Sequence, residues 1–123
     1  PTLVYTHSAA DLNVDYRVVA NAVLTAFRPQ PNEICKELRL FEVASATDYG
    51  NSAITGSFCP NLFIDISDEW SAKSESLKAY SIEMREYPHS RSIEAIKNLS
   101  RLRGNQVGFK MAEAFEVIRK LEK

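Results

Sequence analysis

Val4-Tyr-Thr-His-Ser-Ala-Ala-Asp-Leu-Asn-Val-Asp-Tyr-Arg17 reads as a strand end, a polar loop and a helix start, the order in which α/β sheets place ligands. The strand is Leu3 to Thr6, a short β-rich apolar run, and Ser8 to Asn13 is the loop. From Asp15 onward, Tyr16, Val19, Ala20, Val23 and Phe27 recur at helical spacing. Asn13 or Asp15 is available as N-cap and Pro29 as a stop, so the helix should end near Arg28.

The pattern repeats downstream. Glu37 to Val43 alternates charged and apolar side chains, as a half-buried strand does. Ala44 to Pro60, rich in Ser, Thr, Gly and Asn, reads as a long surface loop, functional, partner-covered or simply mobile. Asn61-Leu-Phe-Ile-Asp-Ile66 is a strong strand signal, and Ser67 or Asp68 can cap the helix that follows. There Trp70, Leu77, Tyr80, Met84 and Tyr87 share a face suited to core packing, up to Pro88. Ser90-Arg-Ser92 caps a further helix with Ile93, Ile96 and Leu99 on one face and Gly104 as C′ residue. Tyr87-Pro-His-Ser-Arg-Ser92 thereby sets His89 and Arg91 at a helix N-terminus suited to anions. From Met111 the spacing fits a helix better than a strand. Strands alternating with helices predict one α/β domain over residues 1–123.

Composition narrows the function. The 123 residues carry 15 Lys+Arg against 16 Asp+Glu, a net charge of −1, which lacks the basic excess of a nucleic-acid or membrane-surface binder. No apolar run approaches the ~18 residues of a membrane span, and no basic-then-apolar leader opens the chain, so a cytoplasmic setting is expected. Cys35 and Cys59 lack metal-type spacing and read as buried thiols. With only two histidines, His7 and His89, an all-histidine zinc site is impossible. There is no GxGxxG, P-loop lysine, HExxH or GxSxG.

A larger ordered set carries a resemblance. Thr6-His7, Asp11-Leu-Asn-x-Asp15, Arg28-Pro29, Leu40-Phe-Glu-Val43, Phe58-x-Pro-Asn61, Phe63-Ile-Asp-Ile-Ser67, Pro88-His-x-Arg-Ser92, Arg103-Gly104 and Ala112-Glu-Ala-Phe115 span nearly the whole chain. In that order they resemble the C-terminal half of the LmbE-like, or PIG-L-type, zinc-dependent de-N-acetylases. The resemblance implies a truncated Rossmann-like layered α/β domain of about four strands and three helices. It makes the tail a strand from about Glu113 to Ile118, against local propensity. For complete members it implies zinc-assisted hydrolysis of the N-acetyl group of a glucosamine-type sugar.

Carried over residue by residue, the resemblance implies a ligand pocket lined or supported by His7, Asp11, Asn13, Asp15, His89 and Arg91. It does not carry over the catalytic set. The family's opening His-Pro-Asp-Asp-Glu loop, with two metal ligands and the general base, occurs nowhere in this sequence, and the third ligand, a histidine, is matched by Tyr16. A phenol with a pKa of about 10 is a poor zinc ligand at neutral pH. No catalytic residue, metal or cofactor is therefore expected for this chain. The expectation is a non-catalytic deacetylase-like domain that binds a small polar or sugar-like ligand or a protein partner. The alternative is a de-N-acetylase whose metal ligands come from another chain or a longer precursor. A sheet lacking the family's N-terminal half should expose an apolar edge or face, which predicts a homodimer.

Overall fold

A computed structural model describes residues 1–122. Among them four strands and four helices follow in the order β1 (Leu3–His7), α1 (Val14–Ala26), β2 (Glu37–Phe41), α2 (Ser52–Thr55), β3 (Leu62–Asp65), α3 (Trp70–Ala79), α4 (Ile93–Asn105) and β4 (Ala112–Lys120). The strands form one mixed sheet in the order β1-β2-β4-β3. β1 and β2 are parallel, with Leu3 opposite Glu37 and His7 opposite Phe41. β4 returns antiparallel to β2, its register broken by an irregularity at Leu38/Arg39. Hydrogen bonds Asn61 N–H to Phe115 O (2.9 Å) and Ile66 N–H to Met111 O (3.0 Å) set β3 antiparallel to β4. The chain divides into two compact units, Pro1–Leu62 with the segment from Phe115 onward, and Phe63–Ala114.

In the first unit β2 alternates as its sequence requires, Leu38 and Leu40 buried and Glu37, Arg39 and Phe41 half-buried. α1 lies against β1 with Ala20 fully buried. Asn13 caps α1, its Oδ1 accepting from the Asp15 N–H at 2.9 Å. The opposite face of the sheet is a mixed polar cluster: Arg39 donates to Glu37 Oε1 and to the Tyr5 hydroxyl, each at 2.7 Å, and the Tyr5 ring meets Phe115 edge-on. Arg39 holds the Glu37 carboxyl below the usual carboxylate range, chiefly through that hydrogen bond. Arg119 donates to Phe27 O at 2.6 Å and so ties the end of α1 to β4. In this unit Leu38 and Leu40 are buried together with the smaller Ala10, Ala20, Cys35 and Ala46 and the polar Thr6, Ser8 and Asp11.

In the second unit, Ser92 caps α4 by accepting from the Ala95 N–H at 3.0 Å. Gly104 lies inside the last turn of α4 rather than just beyond it: the Phe109 N–H returns to its carbonyl at 2.8 Å. A Cβ there would sit 2.7 Å from Phe109 O and 2.8 Å from Met111 N, so close backbone approach selects the glycine.

Several expectations are corrected. α3 stops at Ala79, leaving Tyr80 and Tyr87 67% and 60% exposed, because the Tyr80 N–H turns back to Leu77 O and no buried face follows to propagate the helix. Neither Ser67 nor Asp68 caps α3; Ser67 instead bonds Asp65 Oδ1 and accepts from the Met111 N–H. Asn51 nucleates the short α2 inside the expected loop. Val19 is exposed rather than facing the sheet, and Cys59 is exposed while Cys35 is buried. The tail strand expected from the resemblance over about Glu113 to Ile118 is present and longer, Ala112–Lys120, with Ala112 and Ala114 buried. No helix among the described residues is long and apolar enough to cross a membrane.

Candidate functional site

Parallel β1 and β2 bring His7 and Phe41 side by side at their C-terminal ends, just where the chain passes through a loop into α1. The first turn of α1 then lays Tyr16 on His7, the two rings 4.2 Å apart and 20° from parallel, with Phe41 tilted against the other flank at 4.7 Å. The His7 Nδ1 is buried and has no hydrogen-bond partner.

Asp11 sits in the loop between them, fully buried. Its Oδ1 accepts from the Thr47 hydroxyl at 2.5 Å, while its Oδ2 is buried and unpartnered. Burial pushes the carboxyl above the usual carboxylate range; the Thr47 hydrogen bond and the nearby His7 pull against that, and Asp48 and Glu42 add to it. The loop itself is tied down at successive residues. Arg17 Nη1 donates to the carbonyls of Asp11 and Leu12 at 2.9 and 2.8 Å, the Leu12 N–H donates to Ala46 O at 2.9 Å, and Thr55 Oγ1 donates to Ala10 O at 3.1 Å. Thr47 is held in turn by accepting from the Val43 N–H at 2.8 Å, beyond Ser45, whose φ of 62° lies in the left-handed region.

Of the residues singled out from sequence, His7, Asp11 and Tyr16 come together here. Asn13 and Asp15 stand beside them, occupied with starting α1 as cap and first-turn acid. His89 and Arg91 belong to the second unit, where the Arg91 N–H donates to His89 Nδ1 at 3.0 Å and the Arg91 guanidinium reaches Glu83 at 3.3 Å. Arg91 Nε is buried without a partner. Sequence reasoning did not single out Thr47, Thr55 or Arg17; the Ser/Thr/Asn-rich composition of residues 44–60 was the signal for the first two.

The zinc that the resemblance implies for complete members finds no fitting donor set. Tyr16 offers a neutral phenol stacked on the adjacent imidazole, and among the described residues no group of three or more His, Cys, Asp or Glu is gathered that could hold a metal ion. What the arrangement can do is bind: a carboxyl, an imidazole and two hydroxyl-bearing side chains at the end of a sheet accept and donate hydrogen bonds beside aromatic faces. Compared with known protein families and with curated proteins, the chain matches none.

Proposed function

We propose that this chain is a non-catalytic, deacetylase-like domain of truncated Rossmann-like architecture that holds a small polar, sugar-like ligand at the ends of β1 and β2 and self-associates. The observation that carries the reading is the pair of buried, unpartnered atoms Asp11 Oδ2 and His7 Nδ1. An unpaired buried polar group costs about 1–3 kcal/mol, so these two, with Thr6 Oγ1 a third beside them on β1, support points that a ligand completes. The Tyr16 phenol in place of an imidazole argues against metal-assisted hydrolysis by these residues. Self-association is supported by large apolar side chains left in solvent, among them Val14, Val18, Ile54 and Ile82.

Titration of the labelled chain with glucosamine and with N-acetylglucosamine, read by amide chemical shifts, tests the ligand. Shifts at residues 7–16 that vanish in His7→Ala are expected; none at millimolar sugar counts against it. Stoichiometric zinc in the purified protein together with acetate release from N-acetylglucosamine compounds would replace the reading with that of a de-N-acetylase.

A further inference from the structure

Asp11 is fully buried, yet its Oδ2 has no partner, and the buried Nδ1 of His7 has none either. The loop that carries Asp11 is crossed by residues 46–55, which hold three successive positions of it. The Leu12 N–H donates to Ala46 O at 2.9 Å, the Thr47 hydroxyl donates to Asp11 Oδ1 at 2.5 Å, and Thr55 Oγ1 donates to Ala10 O at 3.1 Å. Gly50 passes so near that a Cβ on it would lie 2.4 Å from Ala10 O. The crossing segment buries little of itself. Ala46 is its one buried residue, and over residues 48–54 all but Gly50 are exposed. Helix α2 within it is a single turn whose Ile54 and Thr55 N–H groups both return to Asn51 O at 2.9 Å. Both ends of the segment lie next to a left-handed residue. Ser45 has φ 62° in a turn closed by the Thr47 N–H on Val43 O at 2.9 Å, a conformation a serine holds only under constraint. Gly56 has φ 78°, and a Cβ there would meet nothing within 4 Å, so backbone conformation rather than crowding selects the glycine. Beyond it the chain is fastened to β4 through the Asn61 N–H on Phe115 O. A segment of exposed backbone bonds, few buried apolar groups and a constrained end opens locally while the core stays folded.

We propose that residues 46–55 are a strap hinged at Ser45 and Gly56, and that lifting it admits the small polar ligand to Asp11 and His7. The inference rests on the ligand site of the proposed function and adds how that site is controlled. Lifting the strap takes the Thr47 hydroxyl away from Asp11 Oδ1, so both carboxyl oxygens become acceptors for a ligand's hydroxyl or N–H groups. It also opens the turn that holds Ser45 left-handed, so relief of that constraint favours the raised form. When only the raised form binds, the apparent dissociation constant is the intrinsic one divided by the raised fraction. Loosening the strap therefore tightens binding. A site that needs the strap in place responds with the opposite sign.

The test combines native-state hydrogen exchange with titration of N-acetylglucosamine on the wild-type chain, Thr55→Val and Gly50→Ala. In the wild type the amides of Leu12, Ile54 and Thr55 should exchange through one shared opening, faster than the paired amides of β2 and insensitive to low urea. Thr55→Val keeps the side-chain shape and removes the bond to Ala10 O, so exchange at Leu12 and Ile54 should quicken about threefold to tenfold. Gly50→Ala drives a Cβ against Ala10 O and should quicken it at least about tenfold. Each variant should lower the apparent dissociation constant for the sugar by the factor by which its exchange quickens. Should Gly50→Ala fail to fold, Thr55→Val carries the comparison alone. Strap amides that exchange only together with β2 overturn the hinged strap. Sugar binding that is unchanged or weaker in the loosened variants overturns the gating and leaves the ligand site standing. Sugar shifts absent from all three proteins overturn the ligand site itself, and the gating with it.

Discussion

Replacing Thr47 by Val keeps the side-chain shape and removes one hydroxyl. That hydroxyl donates to Asp11 Oδ1 at 2.5 Å and accepts from the Val43 N–H at 2.8 Å. A hydrogen bond to a charged group contributes about 1.5–3 kcal/mol and a neutral one about 0.5–1.5 kcal/mol, so the substitution should cost about 3 kcal/mol near neutral pH. For a domain of this size that lowers the thermal midpoint by about 10 °C. The loss should depend on pH in a defined sense. Burial holds the folded Asp11 carboxyl above 3.8, the value of an exposed aspartate. The unfolded chain therefore releases this proton first as pH rises, and the stability present below that value is lost as pH climbs through the folded one. Thr47 limits the loss by favouring the carboxylate; without it the folded carboxyl titrates still higher and the decline deepens. Urea unfolding followed by circular dichroism at about pH 7 and about pH 4.5 should give a larger difference between variant and wild type at the higher pH. A loss below about 1 kcal/mol, or an equal loss at both pH values, would refute the role given to this bond.

Gly104→Ala should destabilise by about 1–3 kcal/mol or more, because its Cβ would meet Phe109 O and Met111 backbone that cannot give way; an unchanged urea midpoint would contradict that packing. Ser92→Ala removes the α4 cap and should cost about 1 kcal/mol in the same assay, with no cost showing the cap to be dispensable. Tyr16→His sets a second imidazole beside His7 but supplies no third ligand, so calorimetry should detect no tight zinc binding; tight binding would overturn the misfit argued for this site. Asn61 accepts from the Val117 N–H at 2.7 Å and donates to the Val117 carbonyl at 3.3 Å, so Asn61→Ala should speed hydrogen exchange at the Val117 amide, and unchanged protection would remove that pairing.

Much of the architecture was legible because the decisive signals are local. Asn13 and Ser92 announce helix starts through their own side chains, and the Leu38/Leu40 alternation announces a half-buried strand. Where tertiary context decides, local reading failed. The apolar spacing through Tyr80 and Tyr87 has the right period, yet both of these rings stay exposed and the helix ends at Ala79. Gly104 resembles a C-cap in sequence, while its true reason, backbone passing within 2.8 Å, comes from residues beyond the helix. β4 was recovered only through the family resemblance, since Met111, Ala114 and Phe115 by themselves favour a helix. The site divides the same way. His7, Asp11 and Tyr16 lie close in sequence and stand on one motif, whereas the Thr47 hydroxyl reaches Asp11 across 36 positions, a distance at which no spacing rule operates.

The tethers on the loop before α1 bear on how a ligand would be captured. Ala10, Asp11 and Leu12 each give a backbone carbonyl to a side-chain donor, and Leu12 adds its N–H to Ala46 O. A loop fixed in this way has little conformational freedom left to surrender when a guest arrives. Because Asp11 Oδ2 and His7 Nδ1 are themselves buried behind that loop, a guest reaches them only after a local opening, so association should be limited by that opening, with discrimination set by shape and hydrogen-bond geometry.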